Sequence, residues 1–219
     1  MATGSGRSLH VFDMDGTLLR STAVIELARH FGDHALGHEI ETRGMAGRMT
    51  DREFWQATLE ICEGASEADI DAAFLGAAWM DGVRETFADI RARGDVAIVV
   101  SQSPAFFVRR FALWGVHETY GSDVELGREL PEVILLASAA KVTITRDALA
   151  RHGLTEQDCV AYGDSLSDVD LFRWLPRTVG VNPTPDVAAL ATTSYLGTDI
   201  RDAYALGRGL LATATAEAS

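Results

Sequence analysis

Leu9-His10-Val11-Phe12-Asp13-Met14-Asp15-Gly16-Thr17 joins a short apolar, strand-forming run to two acids and a glycine turn. Such a stretch reads as a buried strand whose carboxyl end delivers Asp13 and Asp15, the edge at which open α/β sheets place their ligands. Working outward, residues 21 to 79 change to a helical rhythm: Ser21 to Phe31, Asp33 to Met45, Thr50 to Cys62 and Ser66 to Ala77, broken by Gly32, Gly47 and Gly64. Thr50 with Glu53, and Ser66 with Asp69, have the spacing of N-terminal capping pairs. Beyond residue 80 helices and strands alternate. A helix over Gly82 to Arg93 precedes the β-branched strand Val96 to Val100, which ends at Ser101. Pro104 opens a helix carrying Phe106, Phe107, Phe111 and Trp114, an aromatic stripe that belongs in a core.

Further strands are expected over 118–125, 132–136, 159–162 and 178–181, with helices over about 139–152 and from Gly163-Asp164-Ser165 through Phe172. Repeated strand, loop and helix units specify an α/β fold with a doubly wound, mostly parallel sheet and a small all-helical block inserted after its first strand. The expected division is a core over 1–20 and 80–219 and a helical cap over 21–79. The Gly/Ser-rich start through Ser8 and the Ala/Thr/Glu tail from Ala212 read as frayed ends.

Composition limits the partners. With 219 residues, 47% of them hydrophobic and 23% charged, the chain can bury a sizeable core. Nineteen basic against thirty-two acidic residues give a net charge of −13, which argues against nucleic acid or an anionic membrane surface. No apolar run reaches the roughly 18 residues of a membrane span. Cys62 and Cys159 lack the spacing of a metal or redox pair, so two reduced thiols in the cytoplasm are expected. His30, His34 and His38 recur at helical spacing, but glycines interrupt them and no acid completes a zinc motif. Lys141 is the only lysine; the other eighteen basic residues are arginines. That exception marks a place for a compact ammonium on a flexible stem, where a planar guanidinium would not serve.

Parallel strands bring their carboxyl ends to one edge, so Asp13, Asp15, Ser101, Lys141, Asp164 and Asp168 are expected to converge in one crevice. Four carboxylates there repel one another unless a cation intervenes, and strand-end oxygen donors suit Mg²⁺. Lys141 would help to neutralise an anionic substrate, with Ser101 and backbone amides donating to its oxygens. As separate features, Asp13 and Asp15 could be solvated turn acids, and Asp164 and Asp168 ordinary helix-start residues. It is the set that points to chemistry.

The set Asp13-Met14-Asp15-Gly16-Thr17, Ser101, Lys141 and Gly163-Asp164-Ser165-Leu166-Ser167-Asp168 resembles the four motifs of the haloacid dehalogenase superfamily, in order and across nearly the whole chain. The resemblance implies a Mg²⁺-dependent phosphatase acting on a small phosphorylated metabolite. Asp13 would attack phosphorus, and Asp15 would protonate the leaving alkoxide and then activate water. Asp13, the Asp15 carbonyl and Asp164 would hold the metal, Asp168 would support them, and Ser101 would bind a transferring oxygen. Asp15 argues against the dehalogenase branch, whose halide leaving group needs no acid. Phosphotransfer to another alcohol and noncatalytic phosphate binding are the alternatives.

The helical insert resembles the cap of the phosphoserine-phosphatase-like subgroup, with Met45 to Thr50 as its site-facing stretch. Where that subgroup's namesake has an acid and an arginine for the substrate's amino-acid head, this chain has Thr22 and Thr58. Its glycine after the serine is here Gln102, and its Gly-Asp-Gly is here Gly-Asp-Ser. Thr22, Arg43, Met45, Arg48 and Gln102 are therefore the candidate substrate contacts.

Overall fold

A computed structural model describes residues 6–217, with side chains described through residue 213. The frayed start expected for Met1 to Ser8 lies mostly outside the described residues; within them, the Ser8 amide donates to Asp95 Oδ1 at 2.7 Å. Six parallel strands form one sheet in the order β3-β2-β1-β4-β5-β6. They are β1 (Leu9–Phe12), β2 (Val96–Pro104), β3 (Glu118–Ser122), β4 (Cys159–Gly163), β5 (Thr178–Val181) and β6 (Thr193–Tyr195). The opening strand lies at the centre, with Phe12 in register with Val99 on one side and Tyr162 on the other.

The alternation of side chains along these strands builds a core on each face of the sheet. Leu9, Val11, Val96, Ile98, Val100, Cys159 and Ala161 point to one face, beneath α7 (Ser138–His152), α8 (Val169–Trp174) and α9 (Pro185–Ala188). Phe12, Ala97, Val99, Val160 and Tyr162 point to the other, against α5 (Val83–Ala92), α6 (Ala105–Val108) and α10 (Ile200–Glu217). The second core runs on without a break into four inserted helices, α1 (Ala23–His30), α2 (His34–Met45), α3 (Asp51–Ile61) and α4 (Glu67–Leu75). Phe74 of α4 meets Phe107, Phe111 and Trp114 with ring centroids 5.4, 5.1 and 4.6 Å away, so the aromatic stripe is core. Both capping boxes form, at Thr50/Glu53 and Ser66/Asp69.

Several elements depart from the sequence reading. The aromatic helix becomes a 3₁₀ turn over Arg109–Trp114, where the three-residue spacing of Val108, Phe111 and Trp114 matches that tighter winding. Residues 132–136 form no strand: Asp123 N–H donates to Ile134 O at 3.0 Å and Leu136 N–H to Ser122 Oγ at 3.0 Å, without a ladder. The strand expected over 118–125 stops at Ser122, whose hydroxyl makes that bond. β6 went unread because its Thr-Ser-Tyr sequence is an edge strand with no apolar run. The tail expected to fray from Ala212 continues as α10 through Glu217.

Candidate active site

β1 ends at Phe12, and the chain turns through Asp13–Thr17 before α1 begins. Asp13 N–H is held by Tyr162 O at 2.9 Å, which fixes the first acid between β1 and β4. Gly16 has φ +77°, and a Cβ there would lie 2.3 Å from Asp164 Oδ2, so the turn needs glycine both for its conformation and for the carboxylate packed on it. Gly163 plays the same spatial part for Asp168, whose Cγ would be 2.3 Å from an added Cβ.

Around this turn the structure brings together Asp13, Lys141, Asp164 and Asp168, residues far apart in sequence. Lys141, fully buried, donates from Nζ to Asp13 Oδ1 at 2.7 Å, Asp168 Oδ1 at 2.7 Å and Ser167 Oγ at 3.0 Å. Burial pulls its ammonium down, but Asp13 and Asp168 outweigh that and hold it above the ordinary lysine range. Asp168 is fully engaged, since its Oδ2 also accepts from the amides of Asp164 (3.1 Å) and Ser165 (3.3 Å). Burial pushes the Asp13 carboxyl up; Lys141 opposes this, and Asp168, Asp164 and Asp15 add to it. Asp164 is pushed up to about 7 by burial and then by the charge of Asp168.

Carboxylate oxygens of Asp13, Asp164 and Asp168 lie within 4.8 Å of one another. With Asp168 spent on Lys141 and two amides, Asp13 and Asp164 are the carboxylates left for a cation. Among the described residues nothing donates to Asp13 Oδ2 or to the Asp15 carbonyl oxygen, and Asp164 receives one long side-chain hydrogen bond, from Thr17 Oγ1 at 3.3 Å. This hard, oxygen-only and under-neutralised donor set fits a small divalent cation.

Asp15 looks elsewhere. Its Oδ1 accepts from the Ala23 amide at 2.8 Å, and its Oδ2 accepts from Ser103 Oγ at 2.6 Å and Ser101 Oγ at 3.2 Å. Burial raises its carboxyl, against the pull of Ser103, Ala23 and Ser101. Ser101, expected to face a transferring oxygen, thus donates to Asp15 and itself accepts from Ser103 N–H at 3.0 Å. Ser103 was not read from the sequence, although it sits two residues beyond Ser101 on one strand and therefore on the same face.

A cavity of about 360 Å³ opens beside Asp15. Ser103, Gln102 and Ser165 line it from the sheet edge; Thr22, Glu41, Met45, Phe54 and Trp55 line it from the inserted helices. Thr22 caps α1 and donates from Oγ1 to Glu41, a second residue missed in the sequence, and burial holds the Glu41 carboxyl above its ordinary range. Gln102 reaches the cavity while its Nε2 donates to Leu136 O at 3.0 Å. Arg43 and Arg48 do not line the cavity: both are exposed, and Arg43 pairs with Glu39 at 3.5 Å. On a helix Arg43 lies about 200° around from Glu41, which turns it outward. Thr58 is buried, donating to Phe54 O at 2.9 Å within its own helix.

A parallel sheet that gathers an acid pair, a buried lysine and two further aspartates beyond its strand ends is the centre of an α/β enzyme. The chain belongs to the haloacid dehalogenase-like hydrolase family, whose model matches residues 10–173. Among curated proteins it is 27% identical over 190 residues to a phosphoserine phosphatase of Halobacterium salinarum, covering 83% of this chain and 89% of that one. It is 23% identical over 177 residues to a phosphoserine phosphatase of Methanocaldococcus jannaschii, covering 76% and 82%. Among solved structures, a phospho-aspartyl intermediate analogue of phosphoserine phosphatase superposes with a TM-score of 0.70 at 22% identity, covering 90% of this chain and 96% of that one. A substrate-bound phosphoserine phosphatase complex gives 0.70 at 20% identity with the same coverage. These likenesses establish the fold: an α/β core with an all-parallel sheet.

Proposed function

We propose that this hydrolase cleaves small phosphomonoesters through an aspartyl-phosphate, with Mg²⁺ as its cofactor. The observation that carries the reading is the contrast between two acids one residue apart: Asp13 lies on Lys141 among carboxylates, while Asp15 is turned by two serines and the Ala23 amide toward the cavity. Such a division suits a nucleophile and an acid–base group that must not exchange roles.

An Asp13 carboxylate oxygen attacks phosphorus as the bond from phosphorus to the leaving oxygen breaks. Asp15 gives its proton to the departing alkoxide. Water then attacks the phosphorus of phospho-Asp13, Asp15 takes up a proton from it, and the bond from phosphorus to the Asp13 oxygen breaks to release phosphate. Burial raises Asp15, so it starts this cycle better protonated than an exposed aspartate. Lys141 cancels one of the charges that would otherwise keep a phosphate dianion from Asp13, and Asp168 fixes the ammonium. Asp13, Asp164 and the Asp15 carbonyl would hold Mg²⁺, which supplies charge neutralisation to the phosphoryl oxygens when bound.

Residues 21–79 act as a cap over a core of residues 1–20 and 80–219, excluding bulk water and limiting substrate size. No helix among the described residues is long and apolar enough to cross a membrane. Cys62 and Cys159 are free and buried, in keeping with a reducing cytoplasm. The decisive experiment incubates the protein with p-nitrophenyl phosphate and Mg²⁺. Turnover is expected, and Asp13→Asn abolishes both it and the acid-stable phosphoprotein seen by mass spectrometry after quenching. Undiminished turnover in Asp13→Asn refutes the reading.

A further inference from the structure

The cavity beside Asp15 is lined by Asp15, Ser103 and Ser165 but not by Asp13, Lys141 or Asp164. In the reaction proposed above, the phosphoryl group lies with Asp13 and Lys141 and the departing alcohol lies with Asp15. The walls of this cavity therefore describe the alcohol.

Three features of those walls agree. Among the described lining residues there is no lysine, arginine or histidine; the charged side chains are Asp15, Glu41 and Asp51. Glu41 is half-buried and accepts the Thr22 hydroxyl at Oε1, and no hydrogen bond from the described residues reaches its Oε2. Thr22 directly precedes Ala23, whose amide holds Asp15, so Glu41 sits next to the acid that serves the leaving oxygen. Phe54 and Trp55, edge to face at 4.8 Å, line the same cavity and are of the ring type that receives a cation.

A leaving group bearing a carboxylate would bring a further negative charge beside Glu41 and would find no cationic partner among the described lining residues. A neutral polyol would leave the Glu41 oxygen without a donor of matching charge. An ammonium satisfies that oxygen with a charge-assisted hydrogen bond and finds an aromatic wall in the same cavity.

We propose that the substrates are phosphate esters of small amino alcohols that carry an ammonium and no carboxylate, and that Glu41 is the residue that selects them. This rests on the phosphatase reading, and the test separates the two. With Mg²⁺ and the full chain, kcat/KM is measured for p-nitrophenyl phosphate, O-phosphoethanolamine, glycerol 3-phosphate and L-phosphoserine. O-phosphoethanolamine is expected to exceed both glycerol 3-phosphate and L-phosphoserine by about tenfold or more, the worth of one hydrogen bond between charged groups. Glu41→Gln is expected to bring the O-phosphoethanolamine to glycerol 3-phosphate ratio toward one, chiefly through KM, and Glu41→Asp to restore part of it. Hydrolysis of the aryl ester without a preference for the amine, or a preference that survives in Glu41→Gln, overturns the assignment of the leaving group alone. Failure to hydrolyse any of the four esters overturns the phosphatase reading and this one with it.

Discussion

Replacing Lys141 by Met tests the electrostatics of the centre most directly. The ammonium is fully buried and lies 2.7 Å from both Asp13 and Asp168. At an effective dielectric of about 20, each contact is worth about 6 kcal/mol of Coulomb attraction before desolvation is subtracted. Breaking a buried pair by removing one partner costs about 3–5 kcal/mol, because the surviving charge stays buried. For a chain of 219 residues that corresponds to a fall in Tm of about 6–20 °C. The pH dependence has a definite sign. Without Lys141, Asp13 loses the charge that pulls its carboxyl down, so the folded variant holds a proton that the unfolded chain, with an ordinary carboxyl there, has released. Its stability therefore falls as pH rises through the range between the unfolded and the raised folded values. The deficit is expected to be larger at pH 8 than at pH 5. Thermal melts in EDTA at both pH values, for wild type and Lys141→Met, measure it. Melting within about 1 °C of wild type at both would refute the argument, for the ammonium would then be stabilising nothing.

Asp15→Asn keeps the shape of the side chain but loses the titrating proton, so kcat on p-nitrophenyl phosphate is expected to fall by about 100-fold or more while inhibition by inorganic phosphate persists; steady-state kinetics with added phosphate reads both. Ser103→Ala removes the 2.6 Å hydrogen bond that lowers the Asp15 pKa. The limb of the pH–rate profile that reports Asp15 is then expected to move to higher pH, and an unmoved profile counts against the pairing. His10 is buried, its Nε2 has no hydrogen-bond partner among the described residues and lies 3.9 Å from Asp95 Oδ2, and burial lowers it from an ordinary value of 6.5 against the pull of Asp95. The unfolded chain takes up that proton first, so stability is expected to decline as pH falls through about 6.5, with a shallower decline in His10→Asn when Tm is followed from pH 7.5 to 5.5.

The sheet and most of its acids were legible because their signals are local or categorical. A β-branched run ending in Asp-x-Asp, a lysine with no fellow in the chain and Gly-Asp ahead of a helix each stand out without knowledge of the packing. Ser103 was hidden by a boundary: reading β2 as ending at Ser101 hides that the strand runs on to Pro104 and carries a second serine on the same face. Glu41 was hidden for a different reason. Helix α2 buries only Gly37 and Ile40, so its apolar phase is too weak to show which acid faces inward. Arg43 and Arg48 attracted notice by their charge, yet a helix distributes neighbours around its axis, and only Gly44 and Met45, three and four positions beyond Glu41, share its side of the cavity.

The hydrogen bond from the Ala23 amide to Asp15 Oδ1, at 2.8 Å, joins the proton donor to the first residue of α1. Any displacement of that helix away from the sheet strips the aspartate of a donor that holds its pKa down, and its affinity for a proton climbs. A roof that lifts thus loads the acid; a roof that settles primes it to discharge.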